Sequence, residues 1–125
     1  MAQTQPAASA IDLNPKYRVR ITNEFSNNDD PLVIHCWSHD DDLGVHTLWM
    51  NNEWYWEFAN KFLGRTHFVC NMTHGIKEKT VDVYDTYNND LKCEREKKCN
   101  WSIREGGFLF FSEEKNSLIK YYDWW

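Results

Sequence analysis

Apolar and polar positions alternate with a period of two along most of the chain, beginning at YRVRITNEF. There Tyr17, Val19 and Ile21 share one face and Arg18, Arg20 and Thr22 the other, the pattern of a half-buried strand. A polar turn, SNNDDP, leads into LVIHCWSH, whose near-continuous apolar start predicts a central strand. The pattern then breaks at DDDLG. VHTLWM and EWYWEFA follow, both rich in strand formers around an Asn51-Asn52 turn signal, and predict a hairpin. FLGRTHFVCN places Phe68 and Cys70 on one face, and KTVDVYDTY sets Val81 and Val83 against Asp82 and Tyr84. The segment NNDLKCEREKKC has no apolar period and reads as an exposed loop. Beyond it, NWSIREGGFLFFS offers two strands around Glu105-Gly106-Gly107, and NSLIKYYDWW a last one. Seven to nine mostly antiparallel strands with no helical period predict an all-β fold, a small β-sandwich or squashed barrel.

Composition sharpens this picture. The apolar share of 42% leans on 16% aromatic residues, with seven Trp among 125 residues, which suits a β-rich core. That length predicts one domain over residues 16–125, preceded by a flexible lead-in over residues 1–15. The aromatic cluster Trp49, Trp54, Tyr55, Trp56 and Phe58 reads as core packing in preference to a carbohydrate platform. A net charge of −5 argues against nucleic acid as a partner. No apolar run approaches the roughly 20 residues that span a bilayer, so membrane insertion is not expected. The N-terminus lacks the basic start and apolar run of a secretory signal, so the sequence alone does not establish export; a mature chain whose leader has been removed fits it equally.

Four cysteines, Cys36, Cys70, Cys93 and Cys99, point to two disulfides and an oxidising compartment. Three pairings are open. Structural zinc would want two short Cys knuckles, whereas the one close pair is Cys93-x5-Cys99. Asn71-Met72-Thr73 and Asn100-Trp101-Ser102 are glycan acceptors if the chain is exported.

The densest candidate for chemistry is the stretch 33–48, with His35, His39, His46 and Asp40 to Asp42. DDDLG does not follow the alternate ligand spacing of a calcium loop. His35 and His39 lie ~13 Å apart on an extended strand, too far to chelate one ion. The acidic run reads instead as a turn in which an aspartate caps backbone N–H groups and Gly44 takes a conformation other residues avoid. No nucleophile elbow or phosphate-binding glycine loop is present, so no enzyme, cofactor or metal site is expected. The 88–98 segment, with Asp90, Lys92, Glu94, Arg95, Glu96, Lys97 and Lys98, is the preferred recognition surface. Loop 40–46, with Asp40, Asp41 and Asp42, is a candidate beside it, and loops 26–31 and 73–79 complete the set.

Several short motifs recur in a telling order. Val33-Ile34-His35-Cys36 is followed by Ser38 and Asp40 to Gly44; then come Trp56-Glu57-Phe58, Phe62, Thr66, Phe68 and Cys70; Cys93, Cys99, Trp101, Ile103 and Gly107 close the series. With all four cysteines in place, this series resembles the plant self-incompatibility protein and S-protein homologue family over nearly the whole chain from Tyr17. Trp37 and His39 depart from the basic residues that family members commonly carry there. The resemblance implies a β-sandwich, disulfides joining Cys36 to Cys70 and Cys93 to Cys99, and no enzymatic role. It further implies a secreted, extracellular, monomeric ligand of a plasma-membrane receptor protein, which triggers calcium entry and growth arrest in pollen. A glycan-binding module using the surplus Trp, or a defence or toxin-like protein, are the alternative readings.

Overall fold

A computed structural model describes residues 15–125; the expected lead-in falls, Pro15 apart, outside the described residues. Among the described residues nine strands build two sheets. The five-stranded sheet contains, in spatial order, β4 (Glu53–Ala59), β1 (Lys16–Asn23), β7 (Lys98–Arg104), β8 (Gly107–Ser112) and β9 (Ser117–Tyr122). The four-stranded sheet contains β3 (Asp42–Leu48), β2 (Leu32–Trp37), β5 (His67–His74) and β6 (Lys77–Asp85). Six of the seven ladders are antiparallel. The seventh runs β1 parallel to β7, from Arg18 opposite Lys98 to Asn23 opposite Ile103.

Alternation along the strands decides which side chains meet between the sheets. Val19 and Ile21 of β1, Ile34 and Cys36 of β2, Cys70 and Met72 of β5, and Cys99, Trp101 and Ile103 of β7 are all buried. Each large apolar side chain so enclosed contributes roughly 1.5–3 kcal/mol. Arg18 and Arg20 point the other way and pair with Glu57 and Glu53 on the neighbouring strand β4. The aromatic cluster divides: Trp56 is buried, Trp54 and Phe58 pack against the core, and Trp49 and Tyr55 face solvent. At the C-terminus, Trp124 is buried against Phe108 with its Nε1 donating to Arg104 O at 2.8 Å, while Trp125 is exposed.

β3 and β4 do not form the expected hairpin; they belong to different sheets. The cause is Asn23, fully buried at the end of β1. Its Nδ2 donates to Leu48 O at 2.9 Å and its Oδ1 accepts from Phe25 N at 2.9 Å. Its backbone N–H donates to Asn52 O, and its carbonyl accepts from Asn51 N. Asn51 sits at φ 69°, a left-handed conformation that asparagine tolerates. The chain leaving β3 is thereby tied to β1 and enters the opposite sheet. Asn23→Ala orphans the Leu48 carbonyl and the Phe25 N–H, and is expected to lower stability by about 2 kcal/mol, seen as a lower urea midpoint.

Candidate functional site

The strand registers place the loops at two ends of the sandwich. Segments 38–41, 60–66, 86–97 and 113–116 share one end; 24–31, 49–52, 75–76 and 105–106 share the other. The four loops singled out in the sequence therefore do not form one surface. Loop 26–31 lies opposite the acidic turn and the charged 88–98 segment, as does 73–79, which is not a loop but the end of β5 and the start of β6 joined by the two-residue turn 75–76, with Thr73 paired to Glu78 and His74 to Lys77. Asn71 and Asn100 lie away from both ends, within central strands β5 and β7. The Asn71 amide donates to Glu78 at 3.2 Å and to Thr80 at 3.0 Å.

The 88–98 segment is more tightly held than its polar sequence predicts. Asn88 Oδ1 accepts from Asp90 N and caps a single 3-10 turn, Asn89–Leu91, whose Leu91 is fully buried. The backbone then reverses with Cys93 and Lys97 at φ 50° and 59°, conformations that cost non-glycine residues about 1–2 kcal/mol each. Three ties hold that geometry. A disulfide joins Cys93 to Cys99 at the edge of the core. Lys97 N donates to Cys93 O, and Lys97 O accepts from Arg18 N of β1. The Glu113 carboxylate accepts from Arg95 N at 3.1 Å and Glu96 N at 2.6 Å, while Arg95 Nη2 donates to Glu113 O at 2.6 Å. With the backbone thus engaged, Asp90, Glu94, Glu96 and Lys98 remain exposed, and Lys92 and Lys97 are half-buried.

The acidic stretch is shorter as a turn than expected, because Asp42 already belongs to β3. Ser38 N donates to Asp41 O at 2.8 Å and Ser38 Oγ accepts from Asp41 N at 3.1 Å, closing the turn over 38–41. Asp40 pairs with Lys61 at 3.1 Å. Asp42 Oδ1 accepts from Gly44 N at 2.9 Å and lies 2.8 Å from His35 Nε2. The Gly44 N–H and, next, the His35 contact hold its carboxyl below the usual carboxylate range. Gly44 has φ 82°, the left-handed conformation anticipated for it. The histidines do not converge: His35 faces Asp42, His46 stacks on Trp54 at 3.8 Å, and His39 is exposed. Cys36 and Cys70 lie directly opposite each other on β2 and β5, joined by a disulfide and fully buried.

Between the acidic turn and the charged segment stands a loop passed over in the sequence. Phe62 and Leu63 at its tip are 96% and 80% exposed. Their signal was an apolar pair, flanked by Lys61 and Arg65, that fits neither strand period. Arg65 reaches across to Asp85, Nε to Oδ1 at 2.8 Å and Nη2 to Oδ2 at 2.5 Å. Asp85 also accepts from Tyr87 N at 2.9 Å, and His67 Nε2 lies 2.7 Å from Asp82. His67, Asp82 and Asp85 thus bring three potential ligand atoms within 4.8 Å of one another. Arg65 occupies both Asp85 oxygens, so the cluster is a compensated ion-pair network.

Hydrogen bonding from Arg65, foremost, holds the Asp85 carboxyl below the usual carboxylate range, against the opposing pull of burial. A carboxyl depressed on folding stabilises the protein above its unfolded pKa, near ~3.9, and that contribution is lost as pH falls through the folded value. Thermal unfolding followed from roughly pH 6 to roughly pH 2.5 should show a falling melting temperature, and Arg65→Gln should flatten the fall.

With the two sheets, the two bridges and the pinned 88–98 segment described, comparison of the whole sequence supplies the family. Residues 18–124 match the family model described as plant self-incompatibility protein S1. The chain belongs to that family. Among S1-family relatives in Arabidopsis thaliana, S-protein homolog 2 is 34% identical over 112 residues, covering 87% of this chain and 68% of that protein. S-protein homolog 3 is 35% identical over 107 residues, 85% of this chain and 71% of the relative. S-protein homolog 7 is 30% identical over 114 residues, 90% and 84% of the two chains. Every cysteine and the Trp101 strand fall inside the S1-family match.

Proposed function

We propose that this S1-family protein is a secreted, extracellular ligand without catalytic function. On this reading a plasma-membrane receptor protein on pollen or another plant cell recognises the monomer, and recognition triggers calcium-dependent growth arrest. The observation that carries the reading is the 88–98 segment. Its backbone groups are engaged internally and across to Glu113, leaving Glu94, Glu96 and Lys98 as charged side chains on a fixed frame. Preorganised charges of both signs discriminate partners by complementarity and by repulsion of the wrong match. The exposed Phe62-Leu63 pair and the acidic turn at Asp40 and Asp41 extend the surface at the same end. Family membership and two disulfides support secretion, which would make the sequons Asn71 and Asn100 available for glycosylation.

The test is cytosolic calcium in growing pollen tubes of several self-incompatibility genotypes after addition of refolded, disulfide-intact protein. A rapid rise confined to one genotype is expected. Silence in every genotype, with the fold verified, would overturn the reading. A triple variant, Glu94→Gln, Glu96→Gln and Lys98→Gln, should lose the response with its far-UV circular dichroism unchanged. Arg95 is kept because its guanidinium holds the loop to Glu113.

A further inference from the structure

The charged segment also walls a cleft. With the end of β8 and with β9 it encloses an open space of about 600 Å³, whose lining includes Ile119 and Tyr121 as apolar surface. The carboxylates of Asp90, Glu94 and Glu114 line it against the ammonium groups of Lys92 and Lys115. Lys92 already lies 3.9 Å from Glu94, so the remaining field favours a cation.

β9 forms one side of this cleft and is an edge strand of the five-stranded sheet. Leu118 and Ile119, successive residues that point to opposite faces, are 40% and 38% exposed, so the first half of β9 stands clear of the sandwich on both faces. Its second half is irregular, with a register shift that leaves Tyr121 without a ladder partner, and is tied down by Tyr122 Oη donating to Asp82 O and Lys79 Nζ to Asp123 O. The other edges are guarded in ways that discourage pairing. β3 meets β2 through a register shift and carries left-handed Gly44. β4 presents Glu53 and Glu57 in ion pairs, and the Lys79 contact crosses from β6 to the chain end. Among the described residues, 117–120 therefore offer backbone groups without a strand partner on their outer side, beside a mixed cleft with an apolar wall at Ile119 and Tyr121 and an acidic rim.

We propose that an extended, lysine- or arginine-bearing segment of a partner protein adds to β9 as a further strand. One of its apolar side chains enters the cleft against Ile119 and Tyr121, and its cations lie beside Asp90 and Glu114. Main-chain hydrogen bonds supply affinity in such strand addition, and alternate side chains supply specificity. The inference deepens the receptor reading and rests on it for the source of the segment.

The first probe is an acetylated, amidated heptapeptide of alternating lysine and valine, titrated into the 15N-labelled 125-residue chain. Amide resonances of residues 117–120, Asp90 and Glu94 should shift. A glutamate–valine counterpart should bind at least about tenfold more weakly, and N-methylation of alternate peptide amides should abolish the shifts. Ile119→Lys should weaken the lysine peptide by about tenfold, as should Glu114→Lys, which replaces an exposed residue and serves if the first variant does not fold. Equal binding by the N-methylated or the acidic peptide, shifts elsewhere on the molecule, or no shift at all would overturn the proposal. So would movement of the β9 amides with protein concentration alone, which would assign the edge to a second copy of this chain. A calcium response to Ile119→Lys equal to that of the unmodified protein would overturn strand addition and leave the signalling reading intact. Peptide binding by a protein to which no pollen genotype responds would overturn the signalling reading alone.

Discussion

Replacing Cys36 and Cys70 together by alanine should lower stability by about 3.8 kcal/mol, the chain-entropy value for a loop of roughly 35 residues. The same change at Cys93 and Cys99 opens a loop of only roughly seven residues and should cost about 2.4 kcal/mol. The difference matters because single domains are stable by only about 5–15 kcal/mol. The Cys36–Cys70 bridge also lies wholly inside the core, where both sulfurs are enclosed between the sheets, so its loss removes packing as well as a constraint. Urea unfolding of the two double variants measures the costs, and native-state hydrogen exchange locates them. Loss of the second bridge should speed exchange over residues 86–98 and leave β2 and β5 protected. Loss of the first should lower the protection of every core strand together. Equal midpoints for the two variants would show that native-state packing, and not loop length, sets the contribution of each bridge.

How far the sequence announced this arrangement depends on how local each cause is. β1 was legible because alternation is written in consecutive residues: Tyr17, Val19 and Ile21 are buried as a set. β2 was legible as a central strand because both of its faces are covered well enough to carry an apolar run. The assignment of β4 to the other sheet was not legible, because the Asn51-Asn52 turn signal is the same for a hairpin and for a crossover. The deciding contacts come from Asn23, more than 20 residues earlier in the sequence. The parallel pairing of β1 with β7 joins Arg18 to Lys98, a separation at which no periodicity carries information. Leu91 was missed in the charged segment because one apolar residue among charges has no period, and only the cap at Asn88 and the bridge at Cys93 turn it inward. The recognition candidates were legible as charge. Their division between two ends of the molecule follows from topology alone.

Trp101→Ala should be the most damaging single substitution, costing about 3–5 kcal/mol from lost burial and the cavity left behind. The indole is 1% exposed on β7 and ties one sheet to the other. Its Nε1 donates to Val83 O at 3.1 Å, and that carbonyl is available because of a bulge. The β5–β6 register pairs Phe68 with Tyr84 and Val69 with Asp82, so Val83 is the extra residue, left without a ladder partner. Phe110 and Tyr122 lie against the indole ring at centroid distances of 4.6 and 5.8 Å. Tyr122 in turn reaches the Asp82 carbonyl beside the same bulge. Truncating the indole therefore removes the filler between the sheets and the donor for an irregular strand at once. Trp101→Phe separates the two effects, because it keeps most of the ring and deletes only the donor. It should cost about 1–3 kcal/mol, the penalty for an unpaired buried carbonyl. If Phe proves nearly as harmful as Ala, the hydrogen bond to the bulge is what holds the sheets in register. If Phe is close to neutral, packing dominates and water has taken the place of the indole N–H at Val83. Because Tyr121 and Tyr122 connect this region to β9, the first outcome would also loosen the cleft behind the charged segment, visible as faster amide exchange at residues 117–122.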